Sequence, residues 1–503
     1  MSRFLVARFT LLCLAVCFGS ACAVDRAGLR EDDAGPLSER DLGNVDLGSV
    51  DLSRVDLGNV DLGSVDLGSV DLGNVDLGGD MFVPVDLGFD VGLPDLGCTA
   101  AETCAAGVHA FCRAGALTSE VCALGCSIST PTRCALFLPS NVDAALFDVA
   151  TDITLPDAID TSDCSVPGAI PAAQTGGAEV CVIRGRDITA PAGTTVSVTG
   201  TRALVLLAAR NVFINGDLDV AAFGTDAGPG ALTGGTGAGG IGTHVDTYGD
   251  GGGGGGGFCG AGGVGGRGTG DSGGTPPAAP GGTAGAAVAT TPLAPLVGGS
   301  PGGRGAYTAG EADPFAAGGG GGGALQISAR GTITLRGSID VGGGGGQRGH
   351  ADGRTNYSAG GGGGSGGGVL IEAPSVVYEA SARVQAIGGA GGAAGGADDG
   401  RGRPGDGVEG SDGEDGIDAT DRAAAGTTTA PFYAANGGRS GGGSAAAGEN
   451  GVANTNRYSN GGGAGGGVGC VVVRTASGAL PANAALSAPS ALPALRPLRV
   501  RSD

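Results

Sequence analysis

The chain has 503 residues, 111 of them Gly and 24 Pro, and a formal net charge of −22. That much Gly and Pro argues against one packed α/β enzyme over the whole length. All 28 basic residues are Arg, Trp is absent and aromatics make up 4 %. With neither a basic footprint nor stacking platforms, nucleic-acid binding is disfavoured.

Residues 1–23 read as a secretory signal. Arg3 and Arg8 precede a short apolar core, Phe9 to Phe18, and small residues follow it. The core is too short to span a bilayer. Ala21-Cys22-Ala23 reads as a site for ordinary secretory cleavage. Gly-Ser-Ala-Cys resembles a lipobox with Cys22 lipidated, with Gly19 in place of the usual Leu, and that lipid is then the only membrane attachment expected.

Residues 24–97 are an acidic stretch in which a five-residue unit (DLGNV, DLGSV and variants) repeats eight times from Asp41. It reads as a self-repelling, disordered spacer. The same repeat resembles a pentapeptide-repeat solenoid, but eight units are few for stacking. Residues 98–134 hold Cys98, Cys104, Cys112, Cys122, Cys126 and Cys134, a disulfide-stapled module too small to fold on its core alone. Zinc is the alternative, without CxxC knuckles and with one nearby His109. Cys164 and Cys181 are expected to pair. Cys259, inside a glycine segment, and Cys470, at a late strand, are left as the remaining candidate pair.

From about Ala135 to 480, short runs rich in Val, Ile, Leu and Thr alternate with Gly, Asn or Asp. Residues 203–220 align without gaps on 324–341, with Leu204/Leu325, Leu206/Ile327, Val212/Ile333, Ile214/Leu335 and Leu218/Ile339 coinciding. A third copy, 369–387, slips by one residue, and a fourth begins at Cys470 and fades. Each copy reads as three strands, the length of one turn of a parallel β-helix. Residues 224–469 hold 86 of the glycines, in three inserts (224–323, 342–368, 388–469) that each follow the third strand of a copy. The fold class expected is therefore all-β: a right-handed parallel β-helix solenoid with glycine-rich loops along one edge. Those loops read as extended polyglycine helices or as disorder. Residues 481–503 are a C-terminal tail.

PAGTTVSVTG (191–200), LVLLAARNVFINGDLDV (204–220) and GGGGSGGGVLIEAPSVV (361–377) resemble the glycine-rich parallel β-helix surface lipoproteins of GC-rich Gram-negative bacteria. The resemblance implies a location and a fold, and carries over no catalytic residue.

Chemistry is sparse. His244, with Asp246 and Asp250, and His350, with Asp352, lie in glycine segments that offer no rigid frame for a catalytic base. The acidic run 398–421, including Asp406, Glu409, Asp412, Glu414, Asp415 and Asp418, lacks calcium-loop spacing and reads as solvated, with weak Ca²⁺ binding as the alternative. Asp187, Asp217, Asp219, Asp340 and Glu372 lie on or beside strands, and Asp219 and Asp340 occupy equivalent repeat positions. The expectation is a non-enzymatic, exported outer-membrane, cell-surface or secreted protein of structural or adhesion type. It has no cofactor, no metal and no catalytic residue, and its partners are cell-surface glycans or envelope proteins. A polysaccharide-active β-helical enzyme, or a polysaccharide-binding protein, is the alternative. An ice- or mineral-binding surface rests on glycine bundling alone.

Overall fold

The computed structural model describes most of residues 103–478 together with 500–501. Residues 1–102 and 479–499 lie outside the described residues, as do internal segments including 127–133, 270–278, 351–357 and 398–406. By its contacts the chain divides between Pro94 and Asp95 into two compact units, and every described residue belongs to the second. The signal segment with Cys22, the acidic repeat and Cys98 all fall outside the described residues.

Three strands, β1 (Thr103–Ala105), β2 (Val108–Arg113) and β3 (Ala116–Val121), form an antiparallel sheet in the order β1-β2-β3. Disulfides Cys104–Cys126 and Cys122–Cys134 staple it, and Cys112 is also disulfide-bonded. Strand β4 (Leu136–Phe137) pairs antiparallel with Val500–Arg501, near the other end of the chain.

The main body contains β5 (Ile153–Thr154), β6 (Ala158–Asp160), β7 (Ala169–Ala172), β8 (Val180–Gly185), β9 (Ile188–Ala190), β10 (Thr195–Thr199), β11 (Leu204–Ala208), β12 (Val212–Ile214) and β13 (Asp217–Asp219). It continues with β14 (Ala324–Ala329), β15 (Thr332–Leu335), β16 (Ser338–Asp340), β17 (Gly368–Glu372), β18 (Ser375–Tyr378) and β19 (Arg383–Gln385). A two-residue pair, β20 (Gly396–Ala397) and β21 (Gly407–Val408), precedes β22 (Cys470–Arg474). Successive strands enter three sheets in rotation: β22-β17-β14-β11-β8-β7, β18-β15-β12-β9-β5 and β19-β16-β13-β10-β6. The repeat sets the register. Leu204 pairs with Leu325, Val212 with Ile333 and Leu218 with Ile339, all in parallel. Alternate residues of all three sheets meet in one apolar cluster that includes Leu206, Ile214, Leu218, Ile327, Ile339 and Val384, as period-2 strands require. Both faces of the six-stranded sheet are buried, which explains its near-continuous apolar strands.

The glycine segments order through their backbones. From Gly252 to Gly254 the amides donate in turn to Gly266, Gly360 and Gly240. From Gly255 to Gly257 they donate to Gly263, Gly363 and Gly237, all at 2.7–3.0 Å. The direction of donation repeats every three residues, as in an extended helix with three residues per turn and no internal hydrogen bonds. Gly344 donates to Gly320, Gly364 to Gly344, Gly389 to Gly364 and Gly466 to Gly389, a row crossing successive segments. Three residues along, a second row joins Ala317, Gln347, Gly361, Gly392 and Gly463 in the same way. A Cβ at Gly253 would lie 2.0 Å from the carbonyl oxygen of Gly303, and one at Gly463 would lie 1.9 Å from that of Gly361. Close approach of backbones, not an unusual dihedral, excludes side chains here.

On the outer segments one residue in three escapes this crowding. Val264 and Arg267 are exposed while Gly262, Gly263, Gly265 and Gly266 are buried. Pro280, Thr283 and Ala286 are exposed on one neighbouring segment, and Asn436 and Arg439 on another. The Gly-Gly-x triplets at 262–267 and 437–439 mark segments with one solvent side, and unbroken glycine marks those enclosed all round.

These observations correct the expected solenoid. The strands form open sheets, mostly parallel and with an antiparallel member in β7, rather than one closed β-helix. The glycine segments are not loops on an edge: they form a hydrogen-bonded body of their own. The physical reason is that a glycine backbone donates and accepts in three directions, whereas a strand pairs in two.

Candidate functional site

Among the described residues, the densest buried polar cluster lies on the outer face of the six-stranded sheet. Parallel register sets Ser328 beside Glu372 and Glu372 beside Arg474. The segment after β4 covers them. Asp143 caps a short 3-10 helix, Ala144–Phe147, by accepting from the Ala145 amide at 2.8 Å. Phe137 and Phe147 pack in one apolar cluster with Val205 and Leu207. Arg330 lies 4.6 Å over the Phe147 ring, a cation–π contact.

Glu372 is fully buried and its carboxylate is surrounded by donors. Oε2 accepts from the Ser140 amide, Gln326 Nε2 and Ser328 Oγ, each at 3.1 Å. Oε1 accepts from the Ser140 hydroxyl and from Arg474 Nη1 at 3.1 Å. Asn141 Nδ2 donates at 2.9 Å both to Gln326 Oε1 and to the Leu293 carbonyl in the first glycine insert. Burial pushes the Glu372 carboxyl above its ordinary range, while Ser140 and Arg474 pull it down. Both oxygens are engaged, so the group is built to hold strands and cover together rather than to take a proton from a substrate.

The other strand carboxylates serve neighbouring layers in the same way. Asp187 Oδ1 accepts from the Asn211 amide at 2.9 Å and Asp217 Oδ1 from the Ser338 amide at 2.9 Å. Asp219 and Asp340 do stand in register. Each turns back on its own chain, accepting from the Ala221 amide at 3.0 Å and the Gly342 amide at 2.6 Å. They cap the point where strand passes into glycine segment.

His244 Nδ1 lies 2.6 Å from Asp250 Oδ1. Asp250 is buried, accepts the Gly461 amide on its carbonyl and donates its own amide to Asn460 Oδ1. Desolvation pushes its carboxyl up, and His244 draws it partly back. The pair clasps the beginnings of two glycine segments, 251–257 and 461–468. Asp246 and Asp352 lie outside the described residues. His350 joins Ser358 through its backbone: its amide donates to Ser358 Oγ at 2.8 Å and its carbonyl accepts the Ser358 amide at 3.0 Å. Of the acidic run, Glu414 accepts the Ala424 amide and Asp415 accepts those of Gly224 and Gly345. Asp406, Glu409, Asp412 and Asp418 lie outside the described residues.

The sulfurs of Cys104, Cys122 and Cys126 lie within 4.8 Å of one another, but all three are in disulfides, which leaves no thiolate for zinc. Cys164 is bonded to Cys181, and Cys259 to Cys470 across 211 residues of sequence. Sequence reasoning missed Ser140, Asn141, Gln326, Ser328 and Arg474 as one cluster; a polar residue in an otherwise apolar strand is the signal that points to it. No helix among the described residues is long and apolar enough to cross a membrane. No family model, characterised protein or solved structure matches the chain, so the resemblance rests on residues 191–200, 204–220 and 361–377 alone.

Proposed function

We propose that this is a non-enzymatic protein of the bacterial cell envelope, exported and displayed at the outer surface, with a lipid on Cys22 as its anchor and residues 24–97 as its spacer. The observation that carries the reading is how the reactive groups are used. The strand carboxylates accept from neighbouring layers or cap their own turns, and the cysteines whose bonding is described tie segments together. Such a body suits structural support or adhesion. Disulfides that fasten distant segments belong in an oxidising compartment.

The test is antibody labelling of an epitope placed within 24–97 on intact cells, with mass spectrometry of the mature N-terminus. Amine reagents are unsuited, since the chain has no Lys. Labelling of intact cells and a lipid-modified peptide beginning at Cys22 are expected. Labelling confined to lysed cells overturns the surface reading, and an unmodified peptide beginning at Val24 overturns the anchor. Cleavage of a glycan that is lost in Asp219→Asn would overturn the non-enzymatic assignment.

A further inference from the structure

We infer that Cys104, Cys122, Cys126 and Cys134 form a disulfide switch with two alternative pairings, which a thiol interconverts. The bonds present are Cys104–Cys126 and Cys122–Cys134. The two bonds touch. Cys104 Sγ lies 3.4 Å from Cys122 Sγ of the neighbouring bond, about 1.4 Å beyond bonding distance. The sulfurs of Cys104, Cys122 and Cys126 all fall within 4.8 Å of one another. On the backbone, Cys126 faces Cys134 in an antiparallel bridge. Residues that face each other in this way hold their Cα atoms about 4.5–5.5 Å apart, inside the range that a disulfide spans. The same backbone therefore suits Cys104–Cys122 together with Cys126–Cys134.

The exchange balances without an oxidant or a reductant. Cys104 and Cys126 are partly exposed, whereas Cys122 is only 6 % exposed. A small external thiolate attacks Cys126 Sγ, forms a mixed disulfide there and releases the Cys104 thiolate. That thiolate attacks the sheltered Cys122 Sγ beside it, so that Cys104–Cys122 forms and the Cys134 thiolate leaves. Cys134 then attacks Cys126 Sγ in the mixed disulfide, forms Cys126–Cys134 and returns the external thiolate. Two disulfides stand at the start and two at the end, and the thiol is a catalyst.

The pairing matters because of where Cys134 lies. Its bond to Cys122 fastens the end of β3 to the residue two before β4. Leu124, between Cys122 and Cys126, packs with Phe137 and Phe147. Ser140, in the same cover segment, holds Glu372. The second pairing keeps the Cys134 bond within the short stretch 126–134 and leaves the end of β3 unbonded to the cover segment. The switch thereby sets how firmly the cover over Glu372 and Arg474 is held. It does not depend on the envelope location proposed above.

The test adds a catalytic amount of reduced glutathione to the full, disulfide-intact chain. Free thiols are then alkylated, and chymotryptic cleavage after Leu124 separates Cys122 from Cys126, so that mass spectrometry reads the pairing. Peptides crosslinked through Cys104–Cys122 and through Cys126–Cys134 are expected to appear, while Cys164–Cys181 and Cys259–Cys470 persist. Amide hydrogen exchange over 136–147 should quicken as they appear. In Cys126→Ser, with no thiol added, the free thiol should pass from Cys104 to Cys134. If that variant fails to fold, the wild-type map decides alone. A pairing that glutathione leaves unchanged overturns the proposal, as does indiscriminate scrambling of all the bonds. Rearrangement with unaltered protection over 136–147 overturns the link to the cover.

Discussion

Glu372 and Arg474 lie 3.1 Å apart on adjacent parallel strands, with side-chain exposures of 0 % and 3 %. The pair joins strands separated in sequence by the third glycine insert, so it forms only once that insert has returned the chain to the sheet. Glu372→Gln leaves a buried, unpaired guanidinium and should cost about 3–5 kcal/mol. Glu372→Met/Arg474→Leu should recover much of that loss, because no charge then remains buried. Denaturant unfolding of the three proteins checks the order.

The enclosed glycines should be intolerant of even a methyl group. Gly253→Ala and Gly363→Ala drive a Cβ to 2.0 and 2.1 Å from a carbonyl oxygen. Each should destabilise by about 1–3 kcal/mol or more. At Gly234 a Cβ meets nothing within 4 Å, and Ala there should stay within about 0.5 kcal/mol of wild type. Thermal melts of the three variants separate crowding from a general effect of losing glycine.

The Cys259–Cys470 bond ties the first glycine insert to the last strand of the six-stranded sheet. Cys259→Ser/Cys470→Ser should cost about 2–5 kcal/mol, chiefly by freeing a long loop in the unfolded chain. Hydrogen exchange should show the largest loss of protection in 251–267. Protection lost equally everywhere would mean that the bond acts only through global stability.

Asp250 supplies a pH dependence of definite sign. Desolvation raises its carboxyl above the usual value, and the His244 contact opposes this only in part. The folded state therefore holds that proton more tightly than the unfolded chain. The associated stability is fully present below the ordinary carboxylate range and is lost as pH rises through the raised value. Unfolding free energies of wild type and Asp250→Asn, measured from about pH 3 to about pH 7, should diverge over that interval, with wild type losing ground as pH rises. Parallel curves would show that the carboxyl is not perturbed.

Much of the strand layer was legible in the sequence. The gapless alignment of 203–220 on 324–341 predicts the observed pairings of Leu204, Val212 and Ile214. It works because a parallel sheet that buries a common core must keep equivalent apolar residues in register. An earlier layer, β8 to β10, pairs with β11 to β13 as well. Alignment does not reveal it, because its corners differ in length and the offset changes at each one. The cluster around Glu372 was illegible for another reason: Ser140 and Glu372 meet only when the cover segment folds over the sheet.

By itself the sequence determined the alternation of β units with glycine inserts, the in-register apolar positions and the cysteine complement, all of which follow from local periodicity. Only the tertiary structure decided that the described parts of the inserts form a hydrogen-bonded body and that open sheets replace a closed solenoid. It also decided that the carboxylates are spent between layers. The physical reason is that a run of glycine has no side chains to announce its neighbours. Its hydrogen-bond partners, and so its conformation, exist only when other segments surround it.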